Sequence, residues 1–360
     1  FVVGRISGEM VQASLSRTVE SAGALNGWSP KELSLLSLAG YCHIATLLDQ
    51  IEEGVPWPRT TMHARVVFLE KVGAQIGKVM SYRPLTITSP IYRCWGTMRL
   101  ECMSPWIREW ALPEMHAGVP EMGAVDAWYE VLTTLEGHKL EGKHFVGGVA
   151  DIAKFFDQIR RQLVYQMCRA AGMPTGVLRA YEAYLEALKV YNCVAGGMGT
   201  PYTRLCGIPQ GCPFSMTIVA LIMKPWIIMV KKFTGIRVFI LADDVLIIAT
   251  GMKMLSSFAK ALNATHQYLH QMGAKVAPDK SYNFASCITA KIWLAQTHWE
   301  HIDSSIQVIT DFRYLGAHLT TRHAASSSTL DKRWDKAKQQ LKKLRFCPAK
   351  AEAKIRAIVS

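Results

Sequence analysis

The chain has 360 residues, with 41 Lys and Arg against 28 Asp and Glu, a formal net charge of +13. Half of it is hydrophobic and 19% is charged, which excludes a disordered chain, because this much apolar surface can offset the entropy of ordering. The positive excess favours a polyanionic partner, nucleic acid before an anionic membrane.

The nine cysteines are scattered, odd in number and without a CxxC pair. That argues against a disulfide framework or a zinc ribbon and for a reducing compartment. No basic segment followed by an apolar core opens the chain, and a helix-like pattern runs to Ser360. We read the chain as a piece of something longer.

In chain order, Ser29-Pro30-Lys31-Glu32 combines a Ser cap, Pro at the first helical position and an acid in the first turn. Leu33, Leu36, Ala39, Ile44, Leu47 and Leu48 continue it at helical spacing. Residues 64–69 predict a strand running into a turn, 83–88 an extended piece and 91–100 a helix. Residues 145–151 predict a buried strand ending on Asp151, and 155–171 a helix. The apolar run Phe214–Val230 is 17 residues long and contains Lys224 and Pro225. That is short of the ~20 uninterrupted residues of a membrane span, so it predicts a buried core helix. Residues 236–249 are two apolar, β-branched runs split by Asp243 and Asp244, the pattern of a hairpin with two acids at its turn. A helix over 257–272 and a turn leading to a strand over 275–284 follow. The last thirty residues hold ten Lys and Arg against three acids. There Leu330, Trp334, Ala337, Leu341 and Leu344 form one stripe of an amphipathic helix.

Adjacent carboxylates inside an apolar run are costly unless something offsets their charge. A hard divalent cation such as Mg²⁺, which prefers oxygen ligands, would do so; a solvated turn is the plainer alternative. Asp151, at the end of another strand-like run, offers a third carboxylate. Acids from two strands can hold two Mg²⁺ roughly 3.5–4 Å apart and serve phosphoryl transfer without a covalent enzyme intermediate. Between these strands lies Gly207-Ile208-Pro209-Gln210-Gly211, whose glycines permit close backbone approach. His266 and His270 stand one helical turn apart, but no third ligand is evident for zinc, and His298 with His301 is no better supported. Cys206 and Cys212, flanking the glycine loop, are read as packing residues. The ten tryptophans are read mainly as core.

The ordered set of these motifs resembles a reverse transcriptase, most similar to those of non-LTR (LINE-type) retroelements. Leu25-Asn26-Gly27-Trp28-Ser29-Pro30 resembles the opening segment of that type, with Asn26 where Asp is usual. Phe68-Leu69-Glu70-Lys71, Tyr82-Arg83-Pro84-Leu85 and Ile91-Tyr92-Arg93 resemble its fingers motifs. Asp151–Asp157 is similar to the first catalytic motif, Gly207–Gly211 to the second palm motif, and Leu241-Ala242-Asp243-Asp244 to the two-Asp motif. Leu241 stands where the family usually has Tyr or Phe. Gly273-Ala274-Lys275 with Asp279-Lys280-Ser281, and Phe312-Arg313-Tyr314-Leu315-Gly316, resemble the next motif and the primer grip.

The resemblance implies an α+β, right-hand polymerase with an antiparallel palm sheet backed by helices. It implies an N-terminal extension and fingers over 1–144, and a palm over 145–320 with a fingers-side insertion around 172–206. A truncated thumb would begin at 321–360. It implies an RNA-directed DNA polymerase, a nucleotidyltransferase, with Mg²⁺ in two ions (Mn²⁺ as the alternative) on Asp151, Asp243 and Asp244. Lys280 would donate a proton to pyrophosphate, and Lys71 and Arg83 would hold the triphosphate. Phe156 would gate against a 2′-OH, and Gln210 and Gly211 would lie near the nascent base pair. The partners implied are an RNA template, a DNA primer, the RNA–DNA hybrid and dNTPs, with no membrane and with flanking domains of a polyprotein. The implied location is nuclear or cytoplasmic, nuclear from the resemblance alone. The rival readings are an RNA-dependent RNA polymerase and a non-catalytic, maturase-like RNA-binding module or decayed copy.

Overall fold

The computed structural model describes residues 1–18, 20–71, 78, 81–194, 196–322 and 328–345. Helices and sheets alternate irregularly along the chain, an α+β arrangement. A five-stranded sheet lies at its centre, in the order Gln307–Val308, Tyr282–Ala285, Phe145–Ala150, Asp244–Thr250, Ile236–Leu241. Neighbours pair antiparallel except the short edge strand Gln307–Val308, which runs parallel to Tyr282–Ala285. The far edge is covered in part by Met115, bridged to Ile240.

Side chains alternate across a strand, and here both faces are covered. Val146, Val238, Ile240, Val245, Ile247 and Ala249 join the main core, to which the helices Ser215–Val230 and Met254–Gln271 contribute. Phe145, Val149, Phe239, Leu246, Ile248 and Phe284 form a second core with Val131 and Leu135 of the helix Ala124–Leu140 and with Phe312, Tyr314 and Leu319. The last three belong to the hairpin Asp311–Tyr314/Ala317–Thr320. Double coverage explains why the two runs flanking Asp243 are continuously apolar rather than alternating. Gly147 is required by this packing: a Cβ there would sit 2.4 Å from the Phe284 ring.

A second sheet pairs His63–Glu70 antiparallel with Tyr82–Ile87 and parallel with Lys189–Val194, so the segment after residue 188 returns to the N-terminal half. Behind it the helices Leu38–Glu53 and Pro90–Cys102 are joined by a buried ion pair. Arg99 donates to both Glu52 oxygens at 2.6 and 2.8 Å, and Trp95 Nε1 donates to Oε1 at 2.7 Å. Most tryptophans are core residues, among them Trp57, Trp95, Trp106, Trp110, Trp226 and Trp299.

Three expectations are corrected. The helix predicted from Ser29 is a single turn, Pro30–Leu33, closed by a Ser29–Glu32 capping box, and Ser37 caps a new helix from Leu38. The helix expected over 155–171 divides into Phe155–Gln158 and Arg161–Ala170, because Ile159 and Arg160 are extended. Cys206 is exposed; of the pair only Cys212 is packed, against the Tyr92 hydroxyl at 3.1 Å. The basic stretch forms the expected helix over Ser328–Arg345, in which the stripe residues Trp334, Ala337 and Leu341 are exposed; 346–360 lie outside the described residues. Phe214–Val230 holds as a core helix from Ser215, with Trp226 Nε1 bonded to Thr265 of the neighbouring helix at 2.9 Å. Among the described residues no helix is long and apolar enough to cross a membrane.

Candidate active site

The two central strands Ile236–Leu241 and Asp244–Thr250 are joined by the two-residue turn Ala242-Asp243, with Leu241 paired to Asp244. Such turns demand a left-handed residue, usually glycine. Ala242 takes that conformation at φ +56°. The neighbouring pairing runs from Phe145↔Thr250 to Ala150↔Val245. Asp151 follows the last residue of this ladder and Asp244 precedes its partner, and the Asp151 charge raises both Asp244 and Asp243. Strand register therefore gathers Asp151, Asp243 and Asp244 at one end of the sheet.

Asp151 is fixed by its backbone. Its N–H donates to Ser281 Oγ at 3.1 Å and its carbonyl accepts from Ala277 at 2.9 Å. Ser281 Oγ in turn donates to Ala277 O at 2.8 Å. The Lys280 ammonium stands 4.0 Å from Asp151 Oδ1. Three residues on, Lys154 is left-handed at φ +49°, so each acidic turn contains a non-glycine residue in that region.

The three acids perturb one another. Burial, then Asp243, then Asp151 push the Asp244 carboxyl up to about 6, and Arg83 opposes them. Burial and the Asp151 charge raise Asp243, again against Arg83. Asp151 is raised first by burial, with Lys280 and Lys71 pulling it back. All six residues thus share one electrostatic site, four of them from the central sheet's end and the following turn, and two from the N-terminal sheet. Arg83 sits across from Leu69 in that sheet, and Lys71 follows the same strand, its N–H bonded to Ser81 O at 2.9 Å.

The glycine loop bridges the two halves. Gln210 O accepts the Thr86 N–H at 2.8 Å, and Ile208 N–H donates to Phe156 O at 2.7 Å. Gly211 has φ +107°, and a Cβ there would lie 2.6 Å from Thr86 O. The half-buried Phe156 ring meets Phe155 edge-on at 6.1 Å.

Among the described residues no three His, Cys, Asp or Glu side chains close into a complete metal site. The raised carboxyls nonetheless fit a hard cation, since neutralising their mutual repulsion is what such an ion supplies. The open donor set suits Mg²⁺, which is commonly held by one or two carboxylates, waters and substrate phosphates.

One supporting residue escaped the sequence reading: Arg161, which is buried and bonds the glycine loop. Tyr314, from the segment that resembles the primer grip, is buried, and its phenol is raised by burial and then by the Asp244 charge. An arginine in the buried stripe Arg161, Val164, Tyr165 and Cys168 was a readable signal. His266 packs edge-on against Trp299, whereas His270 is exposed. The exposed His298 is paired with Asp303 at 3.1 Å.

Residues 71–319 match the model of a family described as reverse transcriptase (RNA-dependent DNA polymerase). No curated protein matches the chain.

Proposed function

Because the chain belongs to the reverse transcriptase family, we propose that it extends a DNA primer on an RNA template with dNTPs, as the palm-centred part of a LINE-type polyprotein. The observation that carries this reading is the strand pairing that brings Asp151, Asp243 and Asp244 to one end of the central sheet, within the matched span.

On this reading residues 145–320 are the palm, 1–144 an N-terminal extension and fingers, and 321–360 the start of a thumb. The return of Lys189–Val194 to the N-terminal sheet supports a fingers-side insertion around 172–206. Two Mg²⁺ ions, or Mn²⁺ in their place, held by Asp151, Asp243 and Asp244, would lower the pKa of the attacking 3′-hydroxyl and neutralise the departing pyrophosphate. Arg83 and Lys71 bind the triphosphate against the acids. Lys280, beside Asp151, supplies the proton that pyrophosphate takes up. Phe156 occupies the space a ribose 2′-OH would need, and Gln210 and Gly211 support the new base pair. The basic helix Ser328–Arg345 follows the duplex backbone, so binding weakens steeply with salt. Such an enzyme acts in the nucleus or cytoplasm.

Primer extension on an RNA template with Mg²⁺ tests the reading. Incorporation of dNTPs that vanishes in Asp243→Asn supports it; preference for rNTPs overturns it in favour of an RNA polymerase. The second reading, an RNA-binding module without catalysis, is favoured by Leu241, and RNA binding without extension would establish it.

A further inference from the structure

Arg161 opens the helix Arg161–Ala170 with its side chain only 3% exposed. Burying a guanidinium is costly unless its donors are matched. Here Nε donates to Gly207 O at 2.9 Å and Nη1 to Leu185 O at 2.9 Å, and Glu186 lies 3.6 Å from Nη1. Glu186 is itself bonded by the Tyr165 hydroxyl at 2.7 Å. An apolar side chain would fill this place with no desolvation cost, so the arginine is best understood by what it holds.

What it holds is the start of the glycine loop. The Gly207 N–H donates to Ile159 O at 2.8 Å while its carbonyl accepts from Arg161, so both polar groups of this peptide are fixed. The next residue, Ile208, bonds Phe156 O. Gly207 is left-handed at φ +84°, and a Cβ there would lie 2.9 Å from Asp157 backbone. Arg204 and Cys206 add contacts to Asp157 at 3.5 and 3.4 Å. The turn carrying Phe156 and the loop carrying Gln210 are thus zipped together, and Arg161 closes the zipper from beneath.

We propose that Arg161 is a positioning residue for nucleotide selection: it sets the spacing between the Phe156 ring, which meets the sugar, and the Gln210 loop, which meets the base pair. This rests on the polymerase reading above. Arg161 touches no substrate and acts through Gly207.

The test is single-nucleotide incorporation by the full chain on a primed RNA template. dNTP and rNTP efficiencies are compared for wild type, Arg161→Ala, Arg161→Lys and Gly207→Ala, alongside amide hydrogen exchange of the loop. Arg161→Ala is expected to lose about tenfold of the dNTP preference, the scale of one charge-assisted hydrogen bond, mainly through KM for dNTP. Arg161→Lys, which keeps a donor, recovers part of it. Gly207→Ala reproduces the loss with Arg161 intact, and serves if Arg161→Ala does not fold. Faster exchange of the Ile208 amide accompanies the loss. An unchanged preference in Arg161→Ala, with both rates lowered alike, overturns the proposal. If wild type incorporates nothing, the polymerase reading fails on its own, and exchange at Ile208 still decides whether Arg161 holds the loop: faster exchange in Arg161→Ala supports that hold, unchanged exchange overturns it.

Discussion

Asp151 follows Ala150, whose partner Val245 follows Asp244, so pairing of the two strands brings two carboxylates distant in the chain to the same end of the sheet. Neither position could slip by one residue without sending every core side chain of its strand to the opposite face. The site is therefore as rigid as the sheet.

Phe156 is half-buried and packed against the edge of the core that encloses Phe155, and on the proposed function its ring meets the sugar. Phe156→Ala is expected to raise incorporation of rNTPs relative to dNTPs by roughly 10–100-fold, the range steric pocket changes give. Competitive single-turnover incorporation measures the ratio; an unchanged ratio removes Phe156 as the sugar gate.

Lys280 is more than half exposed, and its ammonium pairs with Asp151 at 4.0 Å among the described residues. Solvent screening leaves such a pair little weight in stability. Lys280→Met should therefore leave the melting temperature within a degree or two but slow the chemical step by ~10²-fold or more, with KM for dNTP little changed. Rapid-quench kinetics separates the two; a change confined to KM would make Lys280 a binding residue instead.

The sheet and hairpin were legible because a strand covered on both faces reads as an uninterrupted apolar run, and acids inside such a run stand out. The glycine loop was legible from its backbone freedom. The break at Ile159 and Arg160 was not, because neither residue is a helix breaker; the hydrogen bond from Gly207 to Ile159 O, a tertiary contact, makes it. Arg161 stood out in its buried stripe, but what it bonds, like the Ser281 hold on Asp151, was hidden for the same reason: the partners come from remote segments. The exposed stripe of Ser328–Arg345 shows the converse, since an amphipathic pattern states that a face is apolar and not what covers it.

His266 is buried, and neither ring nitrogen has a hydrogen-bond partner among the described residues. Burial, and secondarily His301, push its pKa down to about 4. The folded state therefore keeps it neutral while the unfolded chain protonates it near 6.5. Stability is fully present above that pH and falls as the pH drops from 6.5 toward 4, by about 3 kcal/mol at the limit. Denaturant unfolding at pH 7.5 and 4.5 for wild type and His266→Phe measures it. The variant should lose part of the acid-dependent drop, and an equal drop in both would assign the acid sensitivity to other groups.

The most direct measurement is Mg²⁺-dependent primer extension by Asp151→Asn beside Asp243→Asn, with melting temperatures recorded. Both variants should fold as wild type and lose about 10³-fold or more of the extension rate, because each removes charge from one shared site. Extension by Asp151→Asn at close to the wild-type rate, while Asp243→Asn is inactive, would contradict a joint site built from the two strands.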